Sequence, residues 1–75
     1  MTYEEAKEFA QEKYGKNAEK INITEEEKTF TIHVKKKKQE IESTSIIEES
    51  YLIDKETRQV IASGNKVQLQ DFSGN

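Results

Sequence analysis

The stretch Tyr51–Ala62, with the sequence YLIDKETRQVIA, decides the fold that we predict for this chain. Short apolar runs of β-branched and aromatic residues stand at its two ends, and a polar link separates them. Such a pattern predicts a β-hairpin. Asp54 stands at the first position of the turn, where its carboxylate can accept hydrogen bonds from the backbone N–H groups that follow. We therefore expect two antiparallel strands here, joined by a turn that Asp54 begins.

A helix is predicted at residues 2–14. Thr2 and Glu5 have the spacing of a capping box, with Thr2 as the N-cap. An apolar stripe at spacings of three and four marks the face that packs on the sheet, and it consists of Tyr3, Ala6, Phe9, Ala10 and Tyr14. Gly15 is expected to adopt the left-handed conformation that ends a helix.

The segments after the helix predict strands. Ile21 and Ile23 alternate with polar residues, and so do Phe30, Ile32 and Val34. One apolar face and one polar face are typical of an antiparallel sheet that is covered on one side. These two segments are expected to pair as a hairpin.

The third predicted strand has a less regular pattern. Ile47 and Ile53 share one phase, but Glu49 interrupts it and Leu52 takes the opposite phase. A bulge near Ser50 would reconcile the two phases. The alternative is that both faces of this strand are partly covered, by the tail or by a second copy of the chain.

The end of the chain is predicted to contain two short strands separated by a turn. Ser63-Gly64-Asn65 has the composition of a turn and Val67 begins a new alternation, while Ser73–Asn75 is expected to fray. The prediction is thus a single α+β domain over residues 1–75, with one N-terminal helix packed on a sheet of three or four antiparallel strands in an α-β-β-β(-β) meander. The predicted strands are 19–24, 29–38, 45–54, 58–62 and, as a further short edge strand, 66–70.

Composition excludes several classes of protein. The chain has 75 residues, near the lower limit for a domain without a disulfide or a metal, and it has no cysteine for a disulfide or for a cysteine-based metal site. Hydrophobic residues make up 32% and charged residues 36%, so the core must be small. A net charge of −3 gives no general attraction to nucleic acid or to an anionic membrane. Without a signal peptide or a transmembrane segment in the given sequence, we expect a cytoplasmic protein, or a domain excised from a longer one.

The order of these features resembles the PepSY domain and also the immunity protein 35 family. Like PepSY domains, the chain has an alanine-containing amphipathic helix at residues 4–10, alternating strands, and a tyrosine-to-aspartate strand leading to Val60-Ile61. The immunity family is similar at its end, where Asp54-Lys55 leads to a short strand and Gly64. In the last turn, where both families usually carry a glycine, this chain has Arg58 or Gln59. The resemblance implies a non-catalytic module that binds or inhibits another protein.

Residues for catalysis or metal binding are few. His33 is the only histidine, and its phase in the strand turns it toward solvent. No spacing of the His-x-x-x-His or Glu-x-x-His kind is present. The serines have no neighbouring histidine and acid in sequence, and the glycines form no phosphate loop. We therefore expect no enzyme, no metal site and no cofactor.

Charged runs are the remaining candidates. The lysine run at 35–38 suits a site for phosphate or acidic groups, or alternatively protects a sheet edge from mispairing. The glutamates at 25–27 and 48–49 would form an acidic surface, or are simply solvated. The candidate partner-binding residues are Glu25, Glu26, Glu27, Lys35, Lys36, Lys37, Glu48 and Glu49.

The function predicted from the sequence is that of a small non-catalytic protein-binding module, an inhibitor or an immunity-type partner of another protein. Two alternatives stay open. One is an acidic inhibitor that mimics nucleic acid. The other is a structural module that self-associates through an exposed edge strand and would form a homodimer. Direct binding to nucleic acid or to a membrane is not expected.

Overall fold

The computed structural model describes the backbone of residues 1–71 and the side chains of residues 1–68. Together they form one N-terminal helix and a four-stranded antiparallel sheet, which confirms the predicted α+β meander. The strands lie side by side in the order in which they follow along the chain. The elements are α1 (Tyr3–Tyr14), a 3-10 turn (Gly15–Asn17), β1 (Lys20–Glu25), β2 (Thr29–Gln39), β3 (Ser43–Asp54) and β4 (Val60–Asp71).

The helix begins as its sequence predicts. Thr2 Oγ1 accepts a hydrogen bond of 3.2 Å from the Glu5 N–H, and Glu5 Oε1 accepts one of 2.9 Å from the Thr2 N–H. This reciprocal pair is a capping box, which satisfies two backbone donors at the start of the helix.

The end of the helix differs from the prediction. Gly15 has φ −75° and ψ −18°, so it is right-handed, and the prediction of a left-handed stop was wrong. Its N–H still donates to the Gln11 carbonyl as in a continuing helix, and the chain then tightens into the 3-10 turn. A Cβ at Gly15 would lie 2.5 Å from Nε2 of Gln11, so a larger residue here would require only that this exposed, flexible side chain move.

The two faces of the sheet differ in burial. Phe30, Ile32 and Val34 of β2 point toward α1 and are at most 1% exposed, together with Ile53 of β3. This side is called the helix face, and Ala6 and Ala10 complete its buried core. The other predicted core residues are half-buried and pack around this centre, and they are Phe9, Tyr14, Ile21, Ile23, Tyr51 and Val60.

The third strand is partly buried on both faces, as the second alternative expected: Thr44 and Ile53 point to opposite faces, and both are buried. The β2–β3 ladder runs without a break through Ser50, so the bulge predicted there was wrong. The irregularity lies in the β3–β4 ladder instead, where Ile53 pairs with Val60 and Leu52 with Ala62. Ile61 is thus the extra residue.

The last strand is continuous, and the turn predicted at Ser63-Gly64-Asn65 was wrong. β4 runs from Val60 to Asp71 as one element of 12 residues. Ser63, Gly64 and Asn65 pair with Tyr51, Ser50 and Glu49 of β3, and this ladder overrides their turn propensity. The segment Ser73–Asn75, which was expected to fray, lies outside the described residues.

The hairpin between β3 and β4 has the turn that the sequence predicts. Asp54 Oδ1 accepts hydrogen bonds from the N–H groups of Glu56 at 2.8 Å and Thr57 at 2.9 Å. These bonds lower the pKa of the Asp54 carboxyl, the Thr57 N–H more than the Glu56 N–H. Arg58 closes the turn with a φ of 64°.

The molecule is elongated, with extents of 47 × 18 × 15 Å. The cause is the unequal length of the strands: β1 has 6 residues, whereas β2 has 11. Helix α1 packs mainly on β1 and the neighbouring part of β2. The far ends of β2, β3 and β4 therefore continue beyond the helix as a three-stranded arm.

Candidate functional site

The face of the sheet that points away from α1 carries the strongest charge pattern of the described structure. We call it the open face, because α1 packs on the opposite face; of its residues, Thr44 at the far end of β3 is buried. Alternation along the strands places on it the residues that face away from Phe30 and Ile53. Its charged residues between Lys20 and Gln68, apart from the turn ends, are Lys20, Lys35, Lys37, Lys66 and Glu48.

The strand register brings these residues into rows. Lys20 pairs with Lys35, Lys35 with Glu48 and Glu48 with Lys66, so one row crosses all four strands. The next row consists of Asn22, His33, Ser50 and Gly64. Residues of both rows line an open cavity of about 500 Å³.

The cavity is basic although the chain is acidic. Three of the lysines, Lys20, Lys35 and Lys66, line it together with Glu48 and Glu49. The Glu49 carboxylate is turned to the helix face, where it pairs with Lys36, so Glu48 is the acid on the side of these lysines. None of the ion pairs in the described part of the chain involves these three lysines. Their charges are therefore available to an anionic group from outside. Asn22 and Ser50 add uncharged donors beside them.

His33 and Ser50 lie directly opposite each other on β2 and β3, and both line this cavity. The sequence does not reveal this neighbourhood, because 16 intervening residues separate the two and only the register shows the pairing. An activated serine needs its base within hydrogen-bond reach and an acid to orient that base. Among the described side chains, no hydrogen bond joins Ser50 Oγ to His33 or His33 to a carboxylate. The arrangement offers polar groups for binding.

The lysine run is divided between the two faces of the sheet. Lys35 and Lys37 lie on the open face, as predicted candidates for an acid-binding patch. Lys36 lies on the helix face, where its Nζ is 2.9 Å from Glu49 Oε1. This oxygen is buried and has no well-aligned hydrogen bond, so the lysine charge is its main compensation. Lys36 and Glu49 are therefore paired with each other on the helix face and are not part of the open face.

The predicted acidic surface is not continuous. Glu48 and Glu49 point to opposite faces of the sheet. The glutamates Glu25, Glu26 and Glu27 lie at the β1–β2 link, about 17 Å along the strands from Glu48 by strand rise. Two of them have partners of their own: Glu25 Oε2 is 2.9 Å from Lys55 Nζ, and Glu26 Oε1 accepts from Thr31 Oγ1 at 3.1 Å.

A tyrosine pair on the helix face was also missed by the sequence analysis. The rings of Tyr14 and Tyr51 stack with centroids 4.0 Å apart and planes 11° from parallel. Burial, followed by the nearby Glu49 carboxylate, raises the pKa of Tyr51. The pKa of Tyr14 is raised for the same first reason, and then by Tyr51 and Glu49. The pair fixes the end of the helix on the sheet.

Two further observations concern the described residues alone. They contain no group of three or more histidine, aspartate or glutamate residues that could hold a metal ion. The single α-helix among them is too short and too polar to cross a membrane. Comparisons of the chain with protein-family models, with curated proteins and with solved structures found no match.

Proposed function

We propose that this chain is a non-catalytic protein-binding module, of the inhibitor or immunity type, whose open face binds an acidic surface of its partner. One observation carries the proposal: the sheet face opposite α1 has four lysines against one glutamate between Lys20 and Gln68, in a chain whose net charge is −3. Such segregation of charge favours association with an oppositely charged surface and speeds the encounter.

The shape of the face suits a protein better than a small molecule. Small-molecule sites are usually concave and mainly apolar, with a few polar groups that fix the ligand. Here the cavity is shallow, it lies across the strands of a sheet, and lysine, asparagine, histidine and serine side chains line most of it. Carboxylates of an acidic segment can pair with Lys20, Lys35 and Lys66 and accept hydrogen bonds from Asn22 and Ser50.

The resemblance to PepSY domains and to immunity protein 35 supports the class of function. Both families consist of non-catalytic modules that bind or inhibit other proteins, and the helix-then-sheet order on which the resemblance rests is present in the fold. The nucleic-acid mimic, in contrast, needs a continuous acidic surface. The separation of Glu25–Glu27 from Glu48, and of Glu48 from Glu49, gives no support to it.

Affinity capture tests the proposal. The immobilised chain is exposed to a lysate with and without prior nuclease treatment, beside a face variant that carries both Lys35→Glu and Lys66→Glu. A matched control carries Lys7→Glu and Lys16→Glu, which change the net charge equally but at exposed positions of the helix and the 3-10 turn. We expect the wild type and the control to retain the same protein, and the face variant to lose it.

The purified partner then gives the quantitative check. Its affinity should fall as the salt concentration rises, because opposite surface charges are screened within about 8 Å at physiological ionic strength. Retention of the partner by the face variant would contradict the proposal. So would a bound species that disappears on nuclease treatment, since the lysines would then bind nucleic acid phosphates. Circular dichroism of each variant shows that the fold is intact.

A further inference from the structure

We propose that two copies of this chain pair antiparallel through β4, with Gly64 on the two-fold axis, so that their sheets form one continuous sheet of eight strands. This interface lies at the edge of the sheet. It is separate from the open face that the proposed function uses, and either proposal can fail without the other.

The edge of β4 is long and poorly protected. Within the described residues, β4 hydrogen-bonds to β3 alone, and one backbone edge of its 12 residues is left free. Proteins usually protect such an edge with a short strand, charged side chains or proline. The opposite edge follows this rule, since β1 has 6 residues with Lys20 and Glu25 at its ends. Between Val60 and Gln70, β4 has Lys66 as its one charged residue and no proline.

The side chains along this edge are self-complementary. Ile61 is 55% exposed and Val67 is 60% exposed, and they are the exposed large apolar residues among the described side chains of β4. Both point to the helix face, because Val67 pairs with Ile47 and Ile61 precedes the open-face residue Ala62. Antiparallel pairing about Gly64 places Ile61 of each copy opposite Val67 of the other. Directly opposed side chains have Cβ atoms about 5 Å apart, so each exposed residue gains one apolar partner and the dimer contains two such pairs.

The residue on the axis permits this approach. Gly64 has no side chain, and a Cβ built there would have Ser50 Oγ as its nearest neighbour, at 3.6 Å. Two Gly64 backbones can therefore come together without displacing a side chain. Outward from the axis, the pairing sets Lys66 of the second copy opposite Ala62. That lysine then lies on the open face beside Gly64, which lines the cavity, and it adds one positive charge there.

Disulfide trapping tests the register. The chain has no cysteine, so Gly64→Cys introduces a single thiol at a position where a Cβ is in ordinary contact. Two Cα atoms about 4.4–6.8 Å apart are within reach of a disulfide, and we expect this variant to form a cross-linked dimer under mild oxidation. Gln68→Cys is the control. Gln68 would pair with Val60, so two copies of it would lie about 27 Å apart and stay uncrosslinked.

Sedimentation equilibrium tests the association itself. We expect the wild type to shift from monomer to dimer with rising concentration, and Val67→Lys to weaken the dimer at least about tenfold. Val67 is exposed enough for this change to leave the monomer folded, which circular dichroism checks. A wild type that stays monomeric at roughly 1 mM overturns the proposal. That result is also the one expected if the edge of β4 pairs with a strand of an unrelated protein and not with a second copy. Equal cross-linking of the two cysteine variants, or a dimer that Val67→Lys leaves unchanged, also overturns it.

Discussion

At the scale of single residues, the turn after β3 shows which local features a sequence reveals. Asp54 was predicted to bind the following N–H groups, and it does so, because this interaction involves neighbours in the chain alone. The positive φ of Arg58 was not predicted. An arginine does not indicate a left-handed backbone, and the hairpin imposes it: the Arg58 N–H donates to the Asp54 carbonyl at 2.8 Å, and the Asp54 N–H to the Gln59 carbonyl at 3.0 Å.

Substitution of Arg58 should show that the turn is strained. We expect Arg58→Gly to be more stable than Arg58→Ala by about 1 kcal/mol, because glycine adopts a positive φ without the clash of a Cβ. Both variants lose the contact of Arg58 Nη2 with Glu5 Oε2 at 3.3 Å, so their difference isolates the backbone effect. Urea unfolding midpoints measure it. Equal midpoints would mean that the turn carries no such strain.

At the scale of elements, regular periodicity was the reliable signal. The helix and the first two strands were predicted because their apolar residues keep a spacing that only one type of element satisfies. The continuous β4 was not, because Ser63-Gly64-Asn65 has the local preference of a turn. Its pairing with Tyr51, Ser50 and Glu49 is a tertiary interaction, and no local sequence window contains it.

The first turn of α1 offers a direct test of the capping box. We expect Thr2→Ala to lower the free energy of unfolding by about 1 kcal/mol, because the Glu5 N–H loses its acceptor at the helix start. Thr2→Ser keeps a hydroxyl and should stay close to the wild type. Chemical denaturation followed by circular dichroism gives both values. A serine variant as unstable as the alanine variant would show that the hydroxyl has no role.

At the scale of the whole molecule, the sequence identified candidate charges but not the surface that they form. Lys35, Lys36 and Lys37 were flagged as one group, although the alternation of the strand turns Lys36 to the opposite face. Lys20 and Lys66 were not flagged, since they come from strands at the two edges and only the register unites them. The basic open face of an acidic chain is therefore a property of the fold.

One end of the molecule ties the helix to the two hairpin turns. The N-terminal amine donates to the Lys55 carbonyl at 2.9 Å, and the Lys55 N–H donates to the Lys28 carbonyl at 3.0 Å. Two acids with altered titration lie here. The N–H of Thr2, followed by the charge of Arg58, lowers the pKa of Glu5. The turn N–H groups lower that of Asp54.

This end should make the fold sensitive to acid. A carboxyl whose pKa is lower in the folded state stabilises the fold above its unfolded pKa, which is about 4 for aspartate and glutamate. That contribution is lost as the pH falls through the lower folded values, so we expect the urea midpoint to decline below about pH 4. A variant with Glu5→Gln and Asp54→Asn should start lower at pH 7 and decline less over the same range. Parallel pH profiles for the two proteins would show that other carboxyls cause the acid sensitivity.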